Sequence, residues 1–196
     1  MKIWAVLLVV VGLAGWTLWM QSRPDSEPQD LPVWPVFKAA EVSDISISGT
    51  GMSLTHLQRQ GNRWLLVDDH ANGEKKHDVA ANEEAVNHLL GNLAEMRLVR
   101  VVTHHTEHFA DLGVDEAAGV HVILRNKQGS SLLDILVGNH GADLISTYVR
   151  LQGDNEAVTV NRSLTWQVRR MRKAWQAPPP ESPQPSLAPL SAGHSS

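Results

Sequence analysis

An unbroken apolar run from Ile3 to Met20 constrains this chain more than any other feature. At about 1.5 Å of rise per residue, a helix over this run would span roughly 27 Å, enough to cross the hydrocarbon core of a bilayer. Trp4 lies near one end of the run and Trp16 and Trp19 near the other, where indole rings prefer the headgroup level. The run therefore predicts a transmembrane signal anchor at residues 1–20.

The alternative for this segment is a cleaved signal peptide. A signal h-region is about 7–15 residues long and ends at a small-x-small site, whereas this run continues through Trp19 and contains the triplet Gly12-Leu13-Ala14 inside it. We therefore favour an uncleaved anchor. The short leader, with only Lys2 ahead of the run, is typical of bacteria and favours a cytoplasmic N-terminus. We expect a single-pass protein of the bacterial inner membrane, with its domain in the periplasm or outside the cell.

Composition excludes several classes of chemistry. The chain has no cysteine, so thiol nucleophiles, iron–sulfur clusters and cysteine zinc sites are removed from consideration. The net charge of −4 argues against nucleic-acid binding as the main role, because that role usually needs a basic face.

The prolines predict the domain boundaries. All ten prolines lie outside residues 36–177. Proline fixes φ and donates no backbone hydrogen bond, so it favours extended and unpaired chain. We interpret residues 21–35 as a proline-rich linker, 36–177 as one soluble domain and 178–196 as a disordered tail rich in proline and serine.

Within the domain the apolar period changes from two to 3.6 and back. The alternation over Asp44–Ser48 predicts a half-buried strand, and Gly61-Asn62 predicts a hairpin turn before a strand at Arg63–Val67. Apolar residues at helical spacing then predict a helix that begins near Asp78 or Asn82 and ends near Arg97. This set is Val79, Val86, Leu89, Leu90, Leu93 and Met96.

Strands are expected again after the helix, and a final helix is expected near the end of the domain. The strand candidates are 98–102, 120–124, 132–137, 146–151 and 157–160, with a break at 138–141, and the last helix covers about 163–176. The short connections between strands favour antiparallel pairing. The predicted fold class is α+β, a mainly antiparallel, hairpin-rich sheet with two packed helices, plus one N-terminal transmembrane helix.

The order of these elements resembles a bacterial family, domain of unknown function 4340 (DUF4340). The motifs that carry the resemblance lie within residues 44–165, at Gly61–Trp64, Leu89–Leu93, Phe109–Val114, Leu136–Gly138 and Thr147–Leu151. The resemblance implies a membrane-anchored protein, often encoded beside components of gliding-type ABC exporters. It implies no catalytic or ligand-binding residue.

The histidine cluster His104-His105-Thr106-Glu107-His108 is the main candidate for metal chemistry. Imidazole and carboxylate groups bind zinc or copper, and His104 and His108 are the candidate ligands. They do not form a His-Glu-x-x-His signature and no third ligand lies nearby, and the alternative is a polar connection between a strand and the Phe109–Gly113 corner. We therefore predict no metal site and no cofactor. Asp68, Asp69 and Asp134 could serve as acid–base carboxylates, but none has an identifiable partner, and Asp134 is expected to face solvent on an alternating strand, so we predict no catalytic residue.

The expected final helix is amphipathic and basic. Leu164, Val168, Met171 and Trp175 would form one apolar stripe, and the opposite side would carry the predicted interaction residues Arg169, Arg170, Arg172 and Lys173. Such a helix can lie on anionic headgroups or bind an acidic partner. It can also be a closing helix with a solvated basic face.

Three functions compete on this pattern. The first is a non-enzymatic accessory or assembly subunit of a cell-envelope complex, with the membrane and envelope or transporter proteins as partners. The second is a periplasmic module that binds a ligand or a metal. The third is an enzyme whose site is assembled only by the fold. We favour the first, because the sequence combines an anchor and a compact domain with no visible reaction centre.

Overall fold

A computed structural model describes residues 31–67 and 78–179 of the chain. The chain divides into two compact units, Met1–Pro32 and Val33–Ser196, and the fold below belongs to the second. The predicted anchor at residues 1–20 lies outside the described residues, as do residues 21–30 of the linker and 180–196 of the tail. Among the helices of the described segments, none is long and apolar enough to cross a membrane.

The second unit is built on one antiparallel sheet that has nine strands within the described residues. In chain order these are β1 (Asp44–Ser48), β2 (Thr55–Gln60), β3 (Arg63–Val67), β4 (Val79–Ala80), β5 (Leu98–Thr103), β6 (Val120–Arg125), β7 (Ser131–His140), β8 (Thr147–Leu151) and β9 (Ala157–Val160). Across the sheet the order is β4-β3-β2-β1-β6-β7-β8-β9-β5. Sequence neighbours mostly pair as hairpins, and β5 joins the far edge beside β9.

The helices are fewer and shorter than the strands. The long helix is α1 (Glu83–Glu95), and two single turns follow, α2 (Phe109–Leu112) and α3 (Thr165–Val168). Short 3-10 turns lie at Ala39–Glu41, Thr106–His108 and Arg172–Trp175. The α+β class and the antiparallel sheet are therefore confirmed.

Local chemistry explains the start of α1 and the first hairpins. The Asn82 side chain accepts a hydrogen bond of 3.1 Å from the Ala85 amide, which caps the helix. Gly61, at φ 61°, lies in the two-residue turn that joins Gln60 to Arg63. The alternation of β1 places Ile45 and Ile47 in the core. The sequence predictions for these elements are confirmed, except that Val79 belongs to β4 and is exposed.

The main core lies between α1 and one face of the sheet. Val86, Leu89, Leu90 and Leu93 of α1 are buried in one cluster with apolar side chains from most of the strands. Trp64 on β3 is buried in the same cluster, as its place after a tight turn predicts. Burial of this stripe is what holds the helix on the sheet.

The chain between β5 and β6 packs on another part of the domain. Phe109 and Val114 form a second small cluster with Ala157 of β9. Gly138 on β7 allows this segment to approach closely, because a Cβ there would collide with the Leu112 carbonyl oxygen. Arg150 ties the segment down with a hydrogen bond of 2.9 Å from Nε to the Val114 carbonyl.

Two predictions about elements are wrong. The continuous helix expected over 163–176 is instead α3 and a 3-10 turn, separated by Met171 in an extended conformation. The reason is tertiary, since Arg172 is held by carbonyl groups of the sheet and Trp175 is buried beside α1. The break expected at 138–141 is also wrong for most of its length, because β7 continues through His140 by pairing with β8.

Candidate functional site

Exposed large apolar side chains gather at one end of the sheet. We call this the apolar end. Five strands begin there, namely β2, β4, β5, β6 and β8, and the other four, β1, β3, β7 and β9, end there. Three of these exposed side chains, Leu31, Val33 and Val36, lie in the chain before β1. The other seven lie in a loop at this end, in the segment crossing it, or in the first two residues of a strand that begins there. They are Leu54, Val79, Val99, Leu144, Ile145, Trp166 and Met171.

The β7–β8 loop projects two of these side chains. Leu144 and Ile145 are 73% and 71% exposed, and Leu144 has φ of 61°, a conformation unfavourable for a leucine. The Asp143 carboxylate holds the loop by accepting hydrogen bonds from the Ser146 hydroxyl at 2.6 Å and from the backbone amides of Ser146 and Ile145. Backbone strain of this kind persists only where the surroundings enforce it.

Hydrogen bonds favour the ionised form of the Asp143 carboxyl. The Ser146 hydroxyl, then the Ser146 amide, lower the pKa of Asp143 below its ordinary value of 3.8, and the Ile145 amide adds to the effect. The carboxylate is therefore ionised at neutral pH while it points back at its own loop.

The terminal segment, residues 161–177, crosses the apolar end. The Thr147 hydroxyl donates to the Arg162 carbonyl at 2.7 Å, and the Thr165 hydroxyl donates to the Gly138 carbonyl at 3.0 Å. Further on, Arg172 donates to the carbonyl oxygens of Leu54 and Val67, at 2.6 and 2.9 Å. Hydrogen bonds thus fix the terminal segment to strand ends in both halves of the sheet.

The four predicted interaction residues, Arg169, Arg170, Arg172 and Lys173, do not share one helical face. Arg169 is exposed and donates to the Ala118 carbonyl at 3.3 Å. The Arg170 guanidinium lies 5.4 Å from the ring centre of Trp166 and 5.3 Å from that of Trp175. Lys173 is exposed.

The predicted apolar stripe is split in the same way. Leu164, Val168 and Trp175 are buried, but Met171 is 80% exposed. The terminal segment is therefore a strap with an outward bend at Met171, and its cations have separate roles.

In the histidine cluster each imidazole faces its own carboxylate. His104 Nδ1 lies 3.2 Å from Glu156, whereas His105 and His108 lie 3.7 and 3.9 Å from Glu107 and Asp111. The rings of His105 and His108 are 6.2 Å apart, and His104 and His108 each face a different carboxylate. Within the described ranges no three His, Cys, Asp or Glu side chains form a group that could hold a metal ion.

Two further histidine–carboxylate pairs lie on the sheet and were not predicted from the sequence. His56 Nε2 lies 2.6 Å from the Asp44 carboxylate, and His121 Nε2 lies 2.6 Å from Asp134. Each pair joins neighbouring strands, so Asp134 does have a partner. The register of the β6–β7 hairpin could have predicted the pair of His121 and Asp134. It places Ile123 opposite Asp134, and His121, two residues before Ile123, lies on the same face of the sheet.

An open groove of about 510 Å³ lies beside the first of these pairs, at the opposite end of the sheet from the apolar end. Its lining includes Asp44, His56, Arg59, Arg125 and Lys127. Arg125 Nη1 also lies 3.6 Å from Asp44, so the one carboxylate of the groove has two basic neighbours. The lining carries an excess of positive charge, which suits an anionic ligand better than a cation.

Comparison with known proteins identifies a family without identifying a reaction. No curated protein and no solved structure matches the chain. A family model, described as domain of unknown function (DUF4340), matches residues 72–186, which is more than half of the chain. The match includes the β7–β8 loop and the terminal segment, and so most of the apolar end. The chain therefore belongs to the DUF4340 family.

Proposed function

We propose that this protein is a non-enzymatic accessory or assembly subunit of a bacterial cell-envelope complex. An anchor at residues 1–20 would hold it at the inner membrane, with the domain in the periplasm or outside the cell. Its partners would be envelope or transporter proteins, and the resemblance drawn from the sequence adds ABC-type exporters to these. The observation that carries the proposal is the gathering of exposed apolar side chains at the apolar end.

The apolar end has the properties of an association surface. Scattered single apolar residues are normal on a protein surface, but a concentration at one place marks an interaction site. Here the side chains come from separate loops and from the terminal segment. The backbone beneath them is fixed by hydrogen bonds that Asp143 accepts and that Thr165 and Arg172 donate. A surface that is already ordered loses little conformational entropy when it binds.

The experiment is affinity purification of the full-length protein from gently solubilised membranes. The test variant combines Leu144→Ser with Met171→Ser, and the matched control combines Gln128→Ser with Gln152→Ser, two exposed turn residues at the other end of the sheet. We expect the wild type and the control to recover the same envelope proteins and the test variant to lose most of them without a change in melting temperature. Equal recovery by all three proteins would contradict the role of the apolar end.

The groove beside Asp44 and His56 favours a second candidate, a periplasmic ligand-binding module. An anion in the groove would meet Arg125 and Lys127. The metal-binding form of this candidate would instead use His104 and His108. Isothermal titration of the full-length protein with phosphate, zinc and copper distinguishes them. Tight one-to-one zinc or copper binding that is lost in His104→Ala and His108→Ala would favour the metal site over association.

A further inference from the structure

We propose that the apolar end lies on the anionic surface of a lipid bilayer, with Leu144, Ile145 and Met171 in the boundary between headgroups and acyl chains. The inference rests on the proposed function, because it names what covers the association surface. The domain would then touch the membrane through its fold as well as through the expected anchor.

The shape of the surface suits contact with lipid. Met171 is 80% exposed at a bend of the terminal segment, and Leu144 and Ile145 project from the tip of a separate loop. Projecting side chains on separate rigid loops suit insertion a few ångströms into a bilayer interface.

The charges around the projecting side chains favour an anionic surface. Arg169 and Lys173 are exposed on either side of Met171. From Ala157 to Pro180 the chain has five cations and no acid. Phosphatidylglycerol-type headgroups attract such clusters within a Debye length.

The aromatic and acidic side chains near the projecting residues are also compatible with contact between the apolar end and an anionic bilayer. Trp166 is partly exposed, and Arg170 lies over its ring, a combination of apolar ring and cation that is favourable at the headgroup level. Two nearby acids have partners of their own. Asp143 accepts hydrogen bonds within its loop, and Glu95 lies 3.1 Å from Arg162.

The expected anchor would keep this surface close to lipid. Residues 21–35 could reach at most roughly 50 Å when fully extended. A surface tethered within that distance meets headgroups at a high effective concentration, so a weak interaction is enough to hold it.

The absence of cysteine from the chain allows a direct test. A single cysteine is placed at Met171→Cys or, as the control, at Gln128→Cys in the exposed turn between β6 and β7. The full-length proteins, each carrying an environment-sensitive fluorophore, are reconstituted in vesicles of phosphatidylethanolamine with phosphatidylglycerol or of phosphatidylcholine alone. We expect the label at 171 to shift to the blue and to be quenched by lipids with a shallow nitroxide, only in the anionic vesicles. The label at 128 should stay in water.

A charge variant tests the electrostatic part. Arg169→Gln with Lys173→Gln, in the background labelled at 171, should reduce the docking equilibrium constant about fivefold for each cation removed. Added salt should have a similar effect on the unmodified background. The melting temperature should not change, since both side chains are exposed.

Three outcomes would overturn the inference. Equal quenching at 171 and 128 would mean that the tether alone brings the domain near lipid. No quenching at 171, with a photo-crosslinking residue at the same position labelling a protein in native membranes, would assign the apolar end to a protein partner and keep the proposed function. No quenching and no crosslink would remove both proposals.

Discussion

The backbone amide of Trp64 donates a hydrogen bond of 2.8 Å to the carboxylate of Glu83. The contact joins β3 to the first residue of α1, where a negative charge also favours the helix dipole. The side chain of Trp64 has a cation beside it, since the Arg59 guanidinium lies 4.9 Å from the centre of its ring. The indole is therefore enclosed by the helix, the sheet and a cation, and it fixes where α1 sits.

Truncation of this side chain should be costly. We expect Trp64→Ala to lower the free energy of unfolding by about 3–5 kcal/mol, because it removes a large buried aromatic and leaves a cavity. Urea unfolding followed by circular dichroism measures the change. The control is Trp166→Ala, which should change stability much less because that ring is partly exposed. An unchanged midpoint for Trp64→Ala would mean that the ring contributes no packing.

The elements that the sequence predicts well are those whose determinants are local. The helix α1 carries its own cap at Asn82 and its own apolar stripe, and the β2–β3 hairpin carries its own turn at Gly61. In each case the residues that decide the conformation lie within a few positions of one another, so periodicity and turn chemistry are sufficient.

The sequence fails where distant contacts decide. Leu164, Val168, Met171 and Trp175 have helical spacing, but the carbonyl groups that hold Arg172 belong to Leu54 and Val67. Contacts between residues so far apart in sequence override local propensity. The apolar end escapes prediction for the same reason, since its side chains come from segments that only the sheet topology brings together.

Arg150 offers a test of how the segment before β6 is held. Its Nε and Nη1 donate to the carbonyl groups of Val114 and Asp154, and its side chain is only 9% exposed. We expect Arg150→Met to destabilise the fold by about 1–3 kcal/mol, because the buried Val114 carbonyl is left without a partner. Glu116→Gln is the control, because Glu116 is 64% exposed and such surface ion pairs contribute at most about 1 kcal/mol. Equal losses in urea unfolding would contradict the argument.

Two glycines should respond to alanine in opposite directions. Gly91 lies inside α1 with nothing within 4 Å of an added Cβ, so Gly91→Ala should stabilise the protein by up to about 1 kcal/mol. At Gly138 an added Cβ meets the Leu112 carbonyl and, at 2.7 Å, Val114 Cγ1, so Gly138→Ala should cost about 1–3 kcal/mol. Thermal melting of both variants measures the two changes. A lower melting temperature for Gly91→Ala would show that an added methyl group does not fit at position 91.

Asp143 should titrate below its ordinary pKa of 3.8. Because the folded pKa is lowered, the ionised carboxylate stabilises the β7–β8 loop above pH 3.8, and this contribution is lost as the pH falls through the lowered pKa. Carboxyl NMR shifts across an acid titration measure it. Ser146→Ala removes the largest cause and should move the pKa of Asp143 upward. An unchanged pKa in that variant would contradict the assignment of the hydroxyl as the main donor.

Charge reversal at the terminal segment should separate structural cations from surface ones. Arg172→Glu should lower stability by about 1–3 kcal/mol, because the partly buried carbonyl of Val67 at the end of β3 loses its donor. Arg170→Glu should also destabilise, since it removes the contacts with Trp166 and Trp175. Arg169→Glu and Lys173→Glu should melt close to the wild type, because both side chains are exposed and water can replace Arg169 at the exposed Ala118 carbonyl.

The two surface substitutions of the terminal segment, when combined, connect stability to association. With Arg169→Glu and Lys173→Glu combined, we expect normal melting but weaker recovery of the complex from membranes, because the charge at the apolar end is reversed. Thermal melting and affinity purification of the full-length protein give the two measurements. If the combined variant melts normally and every partner still co-purifies at wild-type yield, these cations take no part in association and the terminal segment serves only to close the fold.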